Sequence, residues 1–196
     1  LTSRGAPFDS GNLSDAVQRG FELFKGKAGC SQCHSGPRFT DDAPHNTGVP
    51  ENPEIWRNPR RHVTFVTYAK FLGVENYMNI RRDIGAGIRT HKADGSDNGK
   101  FMTPGLRELK YTAPYMHNGM LKTLAEVVAF YNNGGGNDAH KDARIKPLGL
   151  SKEERTNLVA FLESLSGTPL TSAAHVWKDK IDVNYKPIKD WLKKRN

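Results

Sequence analysis

The sequence predicts a mostly helical domain with long ordered loops, and three observations carry that expectation. Ser14 stands as a cap before Asp15–Lys25, a stretch in which Ala16, Phe21 and Phe24 share one helical face. Two capping boxes, Thr123-Leu124-Ala125-Glu126 and Ser151-Lys152-Glu153-Glu154, each open a run of apolar residues at helical spacing. Nineteen glycines and eleven prolines among 196 residues leave few helices, separated by turns.

Taken in order, residues 1–13 read as a linker, with Gly5, Pro7 and Gly11 and little periodicity. The domain proper spans 14–168. Its first helix, from about Asp15 to Lys25, delivers the chain to Cys30. Ser35–Asp42 and His45–Pro50 read as turn and loop. Within 51–100 a basic patch (Arg57, Arg60, Arg61, His62) precedes an apolar stretch, Val63–Leu72. Asp94–Gly99 lacks the ligand spacing and closing Glu of an EF-hand and reads as a plain turn. Two prolines and two glycines divide Phe101–Gly119, leaving a short helix around Leu106–Leu109. The helix opened by Thr123 runs through Val127, Val128, Phe130 and Tyr131 and stops at Asn132–Gly136. The last helix carries Leu158, Phe161, Leu162 and Leu165 and ends at Gly167. Residues 169–196 form a basic extension with Trp177, Tyr185 and Trp191.

Hydrophobic residues make up 36% of the chain and the mean hydropathy is −0.66, low for a domain of this size. A large apolar group in the core would supply what the side chains do not. No run approaches the length of a membrane span, and Leu1–Arg4 has no apolar signal core. The net charge is +8, but no nucleic-acid motif is present and the aromatics are not interleaved with the basic residues. The basic surface is therefore expected to dock an acidic redox partner rather than nucleic acid.

Cys30-Ser31-Gln32-Cys33-His34 names the missing apolar group. C-x-x-C-H is the attachment motif of a c-type haem: two thiols form thioethers to one porphyrin, and the following imidazole becomes the proximal iron ligand. A redox or disulfide pair beside a histidine competes with this reading. So does zinc, which wants four protein ligands, yet these are the only two cysteines in the chain. One covalent haem c is expected. Attachment of haem usually takes place outside the cytoplasm, so the expectation is a mature periplasmic chain. The usual sixth ligand of an electron-transfer cytochrome is methionine, and Met78, Met102, Met116 and Met120 are available.

The order of several short segments carries a resemblance. They are Ala6-Pro7-Phe8-Asp9, Gly29–Pro37, Phe39-Thr40-Asp41, His45-Asn46-Thr47-Gly48-Val49-Pro50, Thr103-Pro104-Gly105-Leu106-Arg107, Thr112-Ala113-Pro114-Tyr115-Met116-His117-Asn118-Gly119 and Leu148–Gly167. Together they resemble the C-terminal haem domain of the bacterial dihaem cytochrome c peroxidase and MauG family, with wording closer to the MauG-like branch. The resemblance implies a cytochrome c-like helical domain around one haem, acting as the electron-transfer half of a dihaem enzyme. It implies a partner too: a second haem-bearing subunit or domain, since this chain starts near the joint between the family's two domains. The alternative is a peroxidase-like haem enzyme, acting at this haem or together with a first haem domain.

The resemblance also implies site residues. Counting from the Pro114–Gly119 segment places the sixth ligand at Tyr131, where the peroxidases have Met and MauG has Tyr; Met116 and Met102 remain alternatives, as does an ordinary core aromatic at 131. Arg107 matches an arginine near the haem and could pair with a propionate, or form a surface salt bridge. Thr112 and Pro114 match positions whose carbonyls hold calcium between two domains, a site that this chain would need a partner to complete. His117 falls on the interdomain side and reads as a hydrogen-bonded structural residue.

Overall fold

The computed structural model describes residues 3–80 and 82–168. The extension 169–196, with Trp177, Tyr185 and Trp191, lies outside the described residues. The helices are α1 (Pro7–Ser10), α2 (Asp15–Lys25), α3 (Pro53–Trp56), α4 (Pro59–Phe71), α5 (Gly87–Thr90), α6 (Leu124–Asn132) and α7 (Lys152–Ser164). Single 3-10 turns lie at Cys30–Gln32, Tyr77–Asn79 and Leu109–Tyr111. The strands are two residues each: β1 (Pro44–His45) pairs antiparallel with β2 (Phe101–Met102).

The core forms where α2 crosses α7. Gly20 makes the crossing close: a Cβ there would sit 2.0 Å from the Asn157 carbonyl oxygen and 2.8 Å from Phe161 Cβ. The approach brings Phe24 against Phe161, with ring centroids 4.9 Å apart. Leu158, Leu162 and Leu165 join them in the interior, as the helical spacing predicts. The expected N-terminal boundaries of α2, α6 and α7 hold because their caps form. Glu126 N donates to Thr123 Oγ1 and Thr123 N to Glu126 Oε2, both at 3.1 Å. The Ser151–Glu154 pair repeats the arrangement. Glu154 also accepts from Lys27 Nζ at 2.7 Å, tying the start of α7 to the chain just before Cys30.

Residues 3–13 do more than link. Pro7–Ser10 makes one helical turn that folds back on the core, with Ala6 buried. The Phe8 ring meets Phe21, Phe39 and Phe161 edge-on at 5.0–5.9 Å. The segment's start also meets the end of the domain. Thr168 N donates to Arg4 O at 3.0 Å, Gly167 packs against the same carbonyl, and the Glu108 carboxylate accepts from Gly167 N at 3.2 Å. Entry and exit of the domain thus lie side by side.

Two regions depart from expectation. The helix expected around Leu106–Leu109 is replaced by the turn Leu109–Tyr111, because Leu106 N is drawn to Arg38 O (3.3 Å) and Arg107 to Asp9. Residues 51–100 contain three helices. Asn-Pro pairs start two of them: the side chains of Asn52 and Asn58 accept from Glu54 N (3.0 Å) and Arg60 N (3.1 Å), and the prolines sit at the first helical position. α4 is apolar on both faces. Ala69 points inward, while Val63, Tyr68 and Phe71 are 64%, 45% and 83% exposed.

Gly20→Ala separates local propensity from packing. In an exposed helix the change gains about 1 kcal/mol. Here the added methyl meets backbone that cannot retreat, and we expect a net loss of about 2 kcal/mol in denaturant unfolding. A stabilised variant would show that the crossing is looser than these distances require.

Candidate haem attachment site

α2 hands the chain to the attachment motif through a tight turn. Gly29 takes a positive φ of 61°, and Cys30–Gln32 then forms a 3-10 turn closed by His34 N donating to Cys30 O at 2.9 Å. The turn sets both sulfurs and the imidazole at one edge of the core. Neither cysteine is in a disulfide. Burial pushes the Cys30 thiol up to about 11, and Cys33 is raised by the same cause. Thiols held neutral suit addition to a porphyrin better than the anionic ligation zinc requires.

His34 Nδ1 lies 2.9 Å from the Phe39 carbonyl. A carbonyl only accepts, so Nδ1 carries the hydrogen and the Nε2 lone pair is left for a metal. Burial lowers the proton affinity of the ring, favouring the neutral form a ligand needs. An open apolar cavity of about 350 Å3 adjoins His34, lined in part by Phe8, Phe21, Phe24, Phe39 and Arg107.

Tyr131 sits in the last turn of α6. Burial pushes its phenol up to about 12; hydrogen bonding from Thr47 pulls the other way, and the charges of Cys30 and Cys33 add to the rise. Burial is thus the main cause of the phenol's rise, whereas Met78 and Met102 are 61% and 59% exposed. Met116 and Met120 are half-buried in the loop before α6. Cys30, Cys33 and His34 are side by side in this turn and would fit a covalently attached haem with a nitrogen donor.

Arg107 is anchored to protein through three of its N–H groups. Nη1 and Nη2 grip the Asp9 carboxylate at 2.7 and 3.0 Å, Nε donates to Pro37 O at 2.9 Å, and the guanidinium lies over the Phe39 ring. It braces the segment that carries His34 while lining the same cavity. Thr112 and Pro114 are exposed. His117 stacks on Phe101, with ring centroids 3.5 Å apart.

Sequence reasoning missed the polar cluster beside Cys33. Ligand atoms of Cys33, Asp41 and His45 lie within 4.8 Å of one another. His45 Nε2 donates to Asp41 Oδ2 at 2.8 Å, and its Nδ1 lies 2.8 Å from Arg144 Nη2 and 3.0 Å from Asp142 Oδ2. The Arg144 guanidinium beside Asp142 holds that carboxyl well below its usual range. Burial alone would raise Asp41, but hydrogen bonds from His45 and Ala43 bring it from 3.8 down to about 2. His45 stood in one of the segments that carry the resemblance; nothing in the sequence linked it to Asp142 and Arg144, 97 and 99 residues away.

No family profile matches the chain. Individual proteins do. The cytochrome-c peroxidase IdrP2 of Denitromonas iodatirespirans is 50% identical over 188 residues, 91% of this chain and 49% of that one. The methylamine utilization protein MauG of Methylorubrum extorquens is 36% identical over 177 residues, 86% of this chain and 41% of that one. A MauG-like protein associated with microbial copper homeostasis superposes with a TM-score of 0.64 at 26% identity, over 85% of this chain and 53% of that one. The chain belongs to the dihaem cytochrome c peroxidase and MauG family. It spans about half the length of the curated relatives it matches. Among its described residues no helix is long and apolar enough to cross a membrane.

In this member of the peroxidase and MauG family, the cluster beside Cys33 makes acid stability a readout of the site. The Asp41 carboxyl is depressed in the folded state, so the stability it contributes is present above about pH 4 and drains away as pH falls toward 2. Melting temperatures of the haem-loaded protein should fall across that window. Asp41→Asn should lower the melting temperature at pH 7 and flatten the acid decline. An unchanged acid profile in that variant would show that Asp41 makes no net contribution.

Proposed function

We propose that this chain is a mono-haem electron-transfer module of a peroxidase- or MauG-like assembly. Cys30 and Cys33 would hold one haem c covalently, with His34 Nε2 and Tyr131 Oη as the iron ligands. The observation that carries the reading is the turn at Cys30–Gln32, which presents both thiols beside a His34 ring held at Nδ1 by the Phe39 carbonyl. The haem, when bound, supplies a one-electron couple; the protein supplies the rest.

His34 is oriented through Nδ1 by the Phe39 carbonyl. Tyr131 would supply a hard, anionic oxygen, a donor that favours the ferric state and lowers the potential relative to a thioether. Phe8, Phe21, Phe24 and Phe39 line the open cavity beside His34 and would offer the haem an apolar wall there. Arg107, anchored by Asp9, lies where a propionate could share its charge.

A domain closed on both sides of the iron passes electrons rather than meeting peroxide. Peroxidase chemistry is therefore assigned to the combination with a second haem-bearing subunit or domain, consistent with a match to only half of a cytochrome-c peroxidase. The carbonyls of Thr112 and Pro114 belong to exposed residues and would meet a calcium ion only in that combination. The +8 charge would suit an acidic redox partner, and a covalently attached haem would suit a periplasmic protein.

Two measurements test this. Acidic acetone should leave the colour on the polypeptide, and the intact mass should exceed 21.8 kDa by one haem; complete extraction of the colour would sink the proposal. Tyr131→Phe keeps the ring and removes only the oxygen, so stability should change by less than about 1.5 kcal/mol. The ferric spectrum should shift to a five-coordinate or methionine-ligated form and the potential should rise. An unaltered spectrum and potential would make Tyr131 a core aromatic, and Met116→Leu would then be the next variant to examine.

A further inference from the structure

Tyr131 occupies the next-to-last position of α6, where helices fray. A ligand there needs its backbone held by something other than the helix. Residues 46–48 and 134–136 do this by direct backbone contact. Gly136 N donates to Thr47 O at 3.1 Å. A Cβ on Gly136 would fall 1.7 Å from Gly48 O, one on Gly48 would fall 2.7 Å from the Gly136 carbonyl, and one on Gly135 would fall 2.6 Å from Thr47 O.

A helix stop explains only part of the glycine run. Gly134 and Gly135 have positive φ, 85° and 72°, and return hydrogen bonds to Tyr131 O and Phe130 O. Gly136 is not among the positive-φ residues. Its lack of a side chain serves the contact with Gly48, not the turn.

The other side of the contact is equally fixed. Asn46 is 2% exposed. Its Oδ1 accepts from Gly48 N at 2.8 Å, its Nδ2 donates to Asn98 O at 2.9 Å, and its carbonyl accepts from Asp142 N at 2.8 Å. From beyond α6, Leu150 N donates to Asn132 Oδ1 at 2.7 Å and Leu148 N to Asn132 O at 3.1 Å. The last turn of α6 is thus gripped from two directions, and hydrogen bonding from Thr47 acts on the Tyr131 phenol.

We propose that Asn46, Thr47, Gly48 and Gly136 form a backbone clasp that positions Tyr131 and keeps the sixth coordination position closed to outside ligands. This rests on Tyr131 being the ligand, as proposed above. The clasp residues touch neither substrate nor iron; they are positioning residues, and loosening them should open the site without removing the phenol.

The test uses the haem-loaded full chain and compares Gly136→Ala, Thr47→Val, Tyr131→Phe and, as a control, Gly11→Ala. Gly11 has a φ of 75° and nothing within 4 Å of where a methyl would be added, so that variant strains a turn far from the clasp. The readouts are the ferric absorption spectrum and titration with cyanide. Gly136→Ala should show a fraction of five-coordinate ferric haem and bind cyanide at least about tenfold more tightly, in proportion to the fraction of open state. Thr47→Val should shift the ferric spectrum at an unchanged unfolding midpoint. Gly11→Ala should lose stability and keep the wild-type spectrum and cyanide affinity.

If Tyr131→Phe alters the spectrum while folded Gly136→Ala and Thr47→Val match wild type, the clasp is overturned and the ligand stands. If Tyr131→Phe is itself silent, the ligand assignment falls and the clasp falls with it. Should Gly136→Ala fail to fold, Asn46→Ala decides, because it removes the side chain that holds Gly48 N and Asn98 O: a wild-type spectrum and cyanide affinity in folded Asn46→Ala overturn the proposal.

Discussion

The contact between Gly20 and the backbone of Asn157 is the constraint from which the rest of the domain follows. It sets how near α2 and α7 come, and only at that spacing do Phe24 and Phe161 share one interior. Phe8 and Phe39 then close over Phe161 from outside. Phe39 carries the carbonyl that orients His34, so the imidazole's direction is inherited from a helix crossing elsewhere in the chain. The Lys27–Glu154 pair fixes the same crossing at its other end, beside the turn that presents the cysteines.

What was legible in the sequence was what is decided locally. A cap and three or four spaced apolar residues were enough for α2, α6 and α7, because those helices bury one face. α4 escaped the same reasoning: Val63, Tyr68 and Phe71 face outward while Ala69 faces in, so no period stands out. Its start was signalled by Asn58-Pro59, a pair that also marks turns. The two-residue pairing of β1 with β2 is too short to leave an alternation. At the site, Cys30, Cys33 and His34 were legible because five consecutive residues hold the chemistry. Tyr131 came from resemblance alone, since its position on an apolar helix looks like core. Asp142, Arg144 and the anchor of Arg107 on Asp9, 98 residues away, are products of tertiary folding.

The electrostatics near the motif run against the chain as a whole. A protein of net charge +8 gathers Asp41 and Asp142 close to Cys33, and answers them with Arg144 and the ring of His45. Two carboxylates set against one guanidinium leave this corner slightly acidic within a basic chain.

The adjacency of Arg4 and Thr168 has a consequence for how such a domain can be built into larger proteins. A unit whose chain enters and leaves at one point can be spliced whole into a surface loop of another fold, because neither junction has to span its width. It also transmits little torque: neighbours on both sides would pivot about the same spot, near Glu108. Modularity of this kind fits a stretch that stands as roughly half of proteins with otherwise different names, and it makes the region around residues 4 and 168 the natural place to graft the domain onto an electrode-binding or reporter protein.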